Sequence, residues 1–210
     1  MFCFIIKTES KVFYKIYMNP ILLNSEKTAL VLIDLQQGIV GLDVVPRSGK
    51  DVLANAIMLA EAFRAKGSLV VLVRVSSIGD GKDMLHPLLD KPPMQFPRKE
   101  GFDVLVPELG PKEGDIVITK HQWGAFYGTE LDLQLRRRQI DTIVLGGIST
   151  NIGVESTARD AFERGYNQIF VEDIMATNSG IEAHSFAVQT IFTRMGRVRS
   201  TQEVLKALSL

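Results

Sequence analysis

Five stretches of this chain are apolar almost without interruption: Ala29–Ile33, Leu69–Val73, Ile116–Thr119, Thr142–Leu145 and Gln168–Val171. That continuity constrains the fold more than any other feature. A strand with one wet face alternates apolar and polar residues, whereas a strand that is apolar throughout must be covered on both sides. A parallel sheet between two helix layers provides that cover. A short sixth strand is expected at Arg197–Arg199. Between the first two runs, Val52, Ala56, Leu59 and Phe63 recur at helical spacing, which predicts a helix over Asp51–Lys66 ended by Gly67. A second helix is expected over Thr129–Arg138, with Thr129 and Asp132 at its start and Arg136, Arg137 and Arg138 at its end, each charge matched to the helix dipole. The fold class expected is therefore α/β: a single three-layer α/β/α domain with a mostly parallel, doubly wound sheet, for which 210 residues are enough.

Charge narrows the partners. Lys plus Arg number 24 and Asp plus Glu number 24, so no net field draws the chain to nucleic acid or to an anionic membrane. The triple arginine at 136–138 then reads as a dipole complement and solvated face, not a nucleic-acid patch. No apolar run is long enough to span a bilayer. The sole cysteine, Cys3, permits neither an internal disulfide nor a cysteine-based zinc site, in keeping with a reducing cytoplasm. A neutral protein of this size tolerates self-association, and a homo-oligomer is the expected state. Residues 1–17 differ from the rest: the apolar start is broken by Lys7, Glu9 and Lys11 and has no signal-peptide order. They read as an N-terminal extension outside a core domain at 18–210, or else as an arm that pairs with a neighbour.

In an open parallel sheet, ligands bind beyond the carboxyl ends of the strands, so the residues following each run are the candidates. Asp34 follows the first run. A carboxylate there must be paired or shift its pKa, unless it merely caps a turn. Arg74 ends the second run and could grip a carboxylate, or pair with a structural acid. Lys120 ends the third and could neutralise Asp34 or hold a carbonyl. Behind it Trp123, Phe126 and Tyr127, with Gly124 and Gly128, resemble a pocket wall, though such aromatics can equally be core. After the fourth run, Gly146-Gly147-Ile148-Ser149-Thr150-Asn151-Ile152-Gly153 reads as a glycine turn into a helix capped by Thr150 or Asn151, whose free N–H groups suit an anion. Glu155 and Arg159 form an i,i+4 pair of ordinary helix support. The proline-rich stretch Ser76–Gly114 has the length of a binding loop.

Taken together, TALVLIDLQQG, the Lys120 segment and GGISTNIGVESTARDA resemble, in order and spacing, the three signatures of the isochorismatase-like cysteine hydrolases, from about Lys27 to the C-terminus. The resemblance implies a site made of an Asp, a Lys and a Cys. The first two match Asp34 and Lys120, but the third falls on Gly153. It also implies a cis peptide between Ile148 and Ser149, with the N–H groups of Ser149 and Gly153 shaping an oxyanion site. The nicotinamidase branch of the family holds zinc through an Asp and histidines after the second strand. Here Val75 stands where a histidine is often found, and His86, His121 and His184 are scattered, so no metal or other cofactor is expected. Glycine carries no nucleophile, which removes covalent thiol chemistry. Members that are true isochorismatases also have glycine there and hydrolyse a vinyl ether with the Asp as general acid.

Three readings are open. The first is a hydrolase of a small molecule that works without a cysteine nucleophile, with Asp34 as general acid or base, tuned by Lys120 and by burial beside Trp123 and Phe126. The second is a non-catalytic member that binds a small carboxylate or amide, or serves as an oligomeric scaffold. The third uses Ser149 or Thr150 as nucleophile and ranks last, because no histidine in the motif can activate either.

Overall fold

A computed structural model describes residues 21–90 and 100–209; the expectations for residues 1–17 lie outside them. The sheet has six strands: β1 (Thr28–Ile33), β2 (Leu69–Val75), β3 (Ile116–Lys120), β4 (Thr142–Ile148), β5 (Asn167–Ala176) and β6 (Arg197–Arg199). They lie in the order β3-β2-β1-β4-β5-β6, and every neighbouring pair is parallel. All six residues of β1 are buried, as its unbroken apolar sequence requires. Each large aliphatic side chain of this central strand contributes about 1.5–3 kcal/mol by leaving water.

The helices are α1 (Gln37–Val40), α2 (Gly49–Ala65), α3 (Leu131–Arg137), α4 (Glu155–Glu163), α5 (Ile181–Phe186), α6 (Thr193–Met195) and α7 (Thr201–Leu208). A π-helical turn, Thr150–Val154, leads into α4, and another, Ala187–Phe192, joins α5 to α6. One core layer packs Leu30, Leu32 and Leu72 against Val52, Leu59 and Phe63 of α2 and Val204 of α7. The opposite layer packs Val31, Ile33 and Val73 against Leu131 and Leu135 of α3 and Ala158 of α4. The strand alternation sorts side chains between these two layers, which completes a three-layer α/β/α domain.

The two helices expected from the sequence start two residues away from where it places them, α2 earlier and α3 later. Ser48 caps α2, its Oγ accepting from the Asp51 N–H, and Gly67 ends it at φ 70. Helix α3 begins at Leu131, two residues after Thr129, whose Oγ1 accepts from the Leu131 N–H. Ser200 and Glu203 form a full capping box on α7. The stretch after β2 forms no regular helix or strand among its described residues, but its return is tied to the segment after β1. Gln37 and Gly38 donate their N–H groups to the Val104 and Phe102 carbonyls, and Val106 donates to the Leu35 carbonyl.

The strand order reverses between β1 and β4. Connections leave these two neighbours in opposite directions, opening a crevice at their carboxyl ends where ligands bind in sheets of this kind. Asp34 and the turn at 149–153 border that crevice.

Candidate active site

The site begins where β1 ends. Ala29, Val31 and Ile33 face the α4 side and Leu30 and Leu32 the α2 side. At Asp34 the chain leaves the sheet in the left-handed region, at φ 54. Short polar side chains tolerate that conformation better than branched ones. The Asp34 N–H is held by the Val73 carbonyl at 2.9 Å. Its carboxylate meets Lys120, which by alternation from Ile118 lies on the α4 side of β3. Lys120 Nζ donates to Asp34 Oδ2 at 2.8 Å and to the Gln122 carbonyl at 3.1 Å. Both residues of this ion pair are buried, Asp34 at 5 % and Lys120 at 2 % exposure.

Burial pushes the Asp34 carboxyl above its ordinary range, and the opposing charge and hydrogen bond of Lys120 do not cancel it. Among the described residues Asp34 Oδ1 has no hydrogen-bond partner. One oxygen is therefore held by Lys120, and the other is enclosed without a side-chain partner. Phe126 is in the core, its ring 5.8 Å from that of Tyr166 with Arg164 over its face. Trp123 and Tyr127 are 65 % and 73 % exposed. The expected aromatic wall is thus corrected to one core residue and two outward-facing ones, because the loop after Lys120 turns its backbone toward the site.

The second half of the site follows β4. Gly147 has φ 133, and a Cβ there would stand 2.1 Å from the Ile33 carbonyl oxygen, so only glycine lets β4 come this close to the end of β1. The Ile148–Ser149 peptide is cis, as the resemblance implies. The helix that follows is capped by neither Thr150 nor Asn151. Ser149 is its N-cap, without a side-chain cap bond, and the Ser149 carbonyl accepts from Ile152 and Val154 at 3.2 Å each. The first turn is wider than an α-turn, which draws Thr150 and Asn151 into the helix and turns their side chains to other partners. Gly153 is buried in this turn, and its carbonyl accepts from Thr157 Oγ1 at 2.7 Å. A Cβ on Gly153 would lie 3.3 Å from Asp34 Oδ2, 3.5 Å from the Trp123 carbonyl oxygen and 3.0 Å from Ile33 Cγ2. A side chain at this position would therefore project against the Asp34 carboxylate.

The remaining candidates separate. Arg74 faces Thr119, its register partner, donating from Nε to Oγ1 at 3.0 Å; alternation puts both on the α2 side, away from Lys120. Thr150 is fully buried, and Asn151 Oδ1 accepts from Thr177 Oγ1 at 2.6 Å. Two polar residues missed by sequence reasoning border the site. Gln36 is fully buried; its Oε1 accepts from the Val75 N–H at 2.7 Å and its Nε2 donates to the Val75 and Phe102 carbonyls. It clasps the end of β2 and the returning loop, and its position in the first signature segment was the available signal. His184, in α5, places Nδ1 2.9 Å from Thr150 Oγ1. A histidine from outside the motif thus contacts Thr150, and no local signal announces it across 34 residues of sequence. Thr150 is itself fully buried.

His121 Nδ1 lies 2.8 Å from the Ser76 carbonyl oxygen and 3.1 Å from Asp83 Oδ2, and His86 Nε2 lies 2.9 Å from the Gly81 carbonyl oxygen. Among the described residues no three His, Cys, Asp or Glu side chains gather as a metal site. A surface depression of about 470 Å³ lined by Ser25, Arg64, Gly114 and Asp115 lies at the amino ends of the strands, the edge opposite Asp34.

A doubly wound parallel sheet covered by helices on both faces, with a buried Asp–Lys pair at its switch point, defines a three-layer α/β/α domain. The Isochorismatase domain family matches residues 28–203, and the chain belongs to that family of hydrolases. It is 50% identical over 191 residues to the isochorismatase family protein YwoC of Bacillus subtilis, covering 90% of this chain and 98% of that one. It is 33% identical over 209 residues to a ureidoacrylate amidohydrolase, RutB, of Klebsiella pneumoniae, covering 88% of each. Among solved structures, an isochorismatase family protein of Burkholderia thailandensis superposes with a TM-score of 0.85 at 48% identity, covering 90% of this chain and 98% of that one.

Proposed function

We propose that the protein hydrolyses a small molecule without a covalent enzyme intermediate, with Asp34 as general acid and then base. The carrying observation is the state of its carboxyl: buried, shifted upward, held through Oδ2 by Lys120, with Oδ1 making no hydrogen bond among the described residues and Gly153 presenting no side chain against it. A carboxyl raised toward neutrality can protonate a leaving group or an enol-ether carbon, and its conjugate base can then take a proton from the attacking water. Lys120 keeps the carboxylate form from becoming too costly, so that the proton can return. On this reading the N–H groups of Ser149 and Gly153, at the start of the helix, receive negative charge on the substrate.

Relatives such as RutB are named as amidohydrolases. An amide route through an acyl-enzyme needs the nucleophile that Gly153 lacks, so acid-labile bonds such as vinyl ethers are favoured over amides. Purified protein is to be tested for turnover on vinyl ethers, small amides and carboxylic acid derivatives, with Asp34→Asn as control. A substrate turned over equally by Asp34→Asn overturns the assignment. Turnover confined to amides overturns the preference for acid-labile bonds.

A further inference from the structure

The three residues that open the turn after β4 are consecutive, and each is tied through its side chain to one short stretch after β5. Ser149 Oγ donates to Asn178 Oδ1 at 3.4 Å, Thr150 Oγ1 meets His184 Nδ1 at 2.9 Å, and Thr177 Oγ1 donates to Asn151 Oδ1 at 2.6 Å. That stretch is itself anchored. Thr177 exchanges both backbone hydrogen bonds with Val45 at 2.8 Å, and Arg47 donates to the Glu172 and Met175 carbonyls. Of the three ties, the one between Thr150 and His184 joins two buried residues, at 0 % and 2 % exposure. Water cannot readily compete for it.

His184 is an odd choice for a packing residue. Its Nε2 is buried without a partner among the described residues, whereas a leucine would fill similar volume with no orphaned nitrogen. Burial, helped by the charge of Arg47, holds the imidazole below the usual histidine range. At neutral pH the ring is then uncharged, one nitrogen bearing the proton and the other a lone pair. What the histidine adds over an apolar side chain is its hydrogen bond to Thr150, the residue beside the cis peptide and the first of the π-turn.

We infer that His184 is a positioning residue: through Thr150 it fixes the backbone of the turn at 149–153 and so sets how Gly153 is presented to Asp34. This rests on reading that turn as the part of the site that holds negative charge. The turn can be interrogated without knowing the substrate. In a Cys3→Ser background, Gly153→Cys puts a thiol at the helix start against the Asp34–Lys120 pair. The N–H groups of the turn and the Lys120 charge lower its pKa, while burial and the Asp34 carboxylate raise it. A turn held as inferred should bring it at least about one unit below that of free cysteine. The readout is the pH dependence of its alkylation by iodoacetamide. Adding His184→Leu should return the thiol to the ordinary range and slow alkylation at pH 7 about tenfold. Thr150→Val should do the same, and the two together no more than either alone. His184→Asn, which keeps an amide group at the Nδ1 position, should retain the low pKa.

An ordinary pKa in the parent thiol would overturn the reading of the turn and this inference with it. A low pKa left unchanged by His184→Leu would overturn the positioning role alone. Because a cysteine at 153 must displace Ile33 Cγ2 from 3.0 Å, the comparison is repeated on the Gly153 protein by amide hydrogen exchange of the 149–154 segment. His184→Leu and Thr150→Val should quicken that exchange and His184→Asn should not; identical exchange in all three overturns the role.

Discussion

Asp34 is subject to two opposed influences, burial raising its pKa and Lys120 lowering it, and burial is the larger. Two consequences follow for measurement. If the protonated carboxyl is the working acid, activity falls as pH rises through its pKa, and Lys120→Met should move that alkaline limb to higher pH, since the remaining opposition is gone. A limb that stays put or moves down in a pH–rate profile would contradict the assignment. The same shift bears on stability. With a folded pKa above the ordinary 3.8, the folded state binds the proton more tightly than the unfolded one, so this group's contribution to folding is greatest at low pH and diminishes as pH rises from about 3.8 through the folded value. Asp34→Asn should lower turnover by about 10²–10⁴-fold, the usual contribution of a general acid, when kcat is compared at saturating substrate. At Gly153, an added methyl would crowd Asp34 Oδ2 at 3.3 Å and Ile33 Cγ2 at 3.0 Å. Gly153→Ala should therefore fold, lose about 1–3 kcal/mol to overpacking, and bind substrate more weakly. Urea unfolding and KM check the two parts separately.

At the scale of elements, the site depends on how closely β4 approaches β1. Gly147 is the contact: its φ of 133 and the 2.1 Å that would separate a Cβ from the Ile33 carbonyl oxygen leave no room for a side chain. Gly147→Ala should cost about 2–5 kcal/mol, combining an unfavourable backbone region with overpacking, and should displace Ile33 and with it Asp34. A urea midpoint within error of the parent would show that the two strands can part without penalty. Strand positions were legible from their apolar runs, but four of the six extend further at their carboxyl ends than those runs: β2 to Val75, β3 to Lys120, β4 to Ile148 and β5 to Ala176. The added residues include Arg74, Lys120, Gly146, Gly147, Glu172 and Asp173. Hydrophobic continuity breaks there because these ends bear charge and glycine for a site or for polar contacts, so the signal that finds a strand fades where function begins.

Across the whole molecule the two edges of the sheet do different work. At the amino edge Arg64, in the last turn of α2, donates to both carboxylate oxygens of the buried Asp115 and to the Leu109 carbonyl. Arg64→Met would leave that carboxylate unpaired and should cost about 3 kcal/mol. Since Arg64 lies at the opposite end of the strands from Asp34, the kcat of the folded variant should match the parent. Thermal unfolding and turnover at a permissive temperature separate the two effects. A homo-oligomer remains our proposal for the assembled state, supported by the exposed Trp123, Tyr127 and Phe186 and by a net charge of zero. Light scattering that returns the 23.3 kDa of one chain would refute it.

The sequence by itself determined the layers and the parallel sheet, through apolar runs and helical periodicity. It offered the pairing of Asp34 with Lys120 as one of two readings of charges set after strands, and only the family resemblance tied Gly153 to them. Only the tertiary structure decided which oxygen of Asp34 Lys120 holds, that Phe126 is core while Trp123 and Tyr127 are exposed, that Arg74 pairs with Thr119, that Gln36 contacts the end of β2 and that His184 contacts Thr150. The hydrogen bonds among them join residues 34 to 86 positions apart. Such contacts leave no periodicity in the chain. They exist only once the burial of the sheet has fixed which faces, and which strand ends, meet.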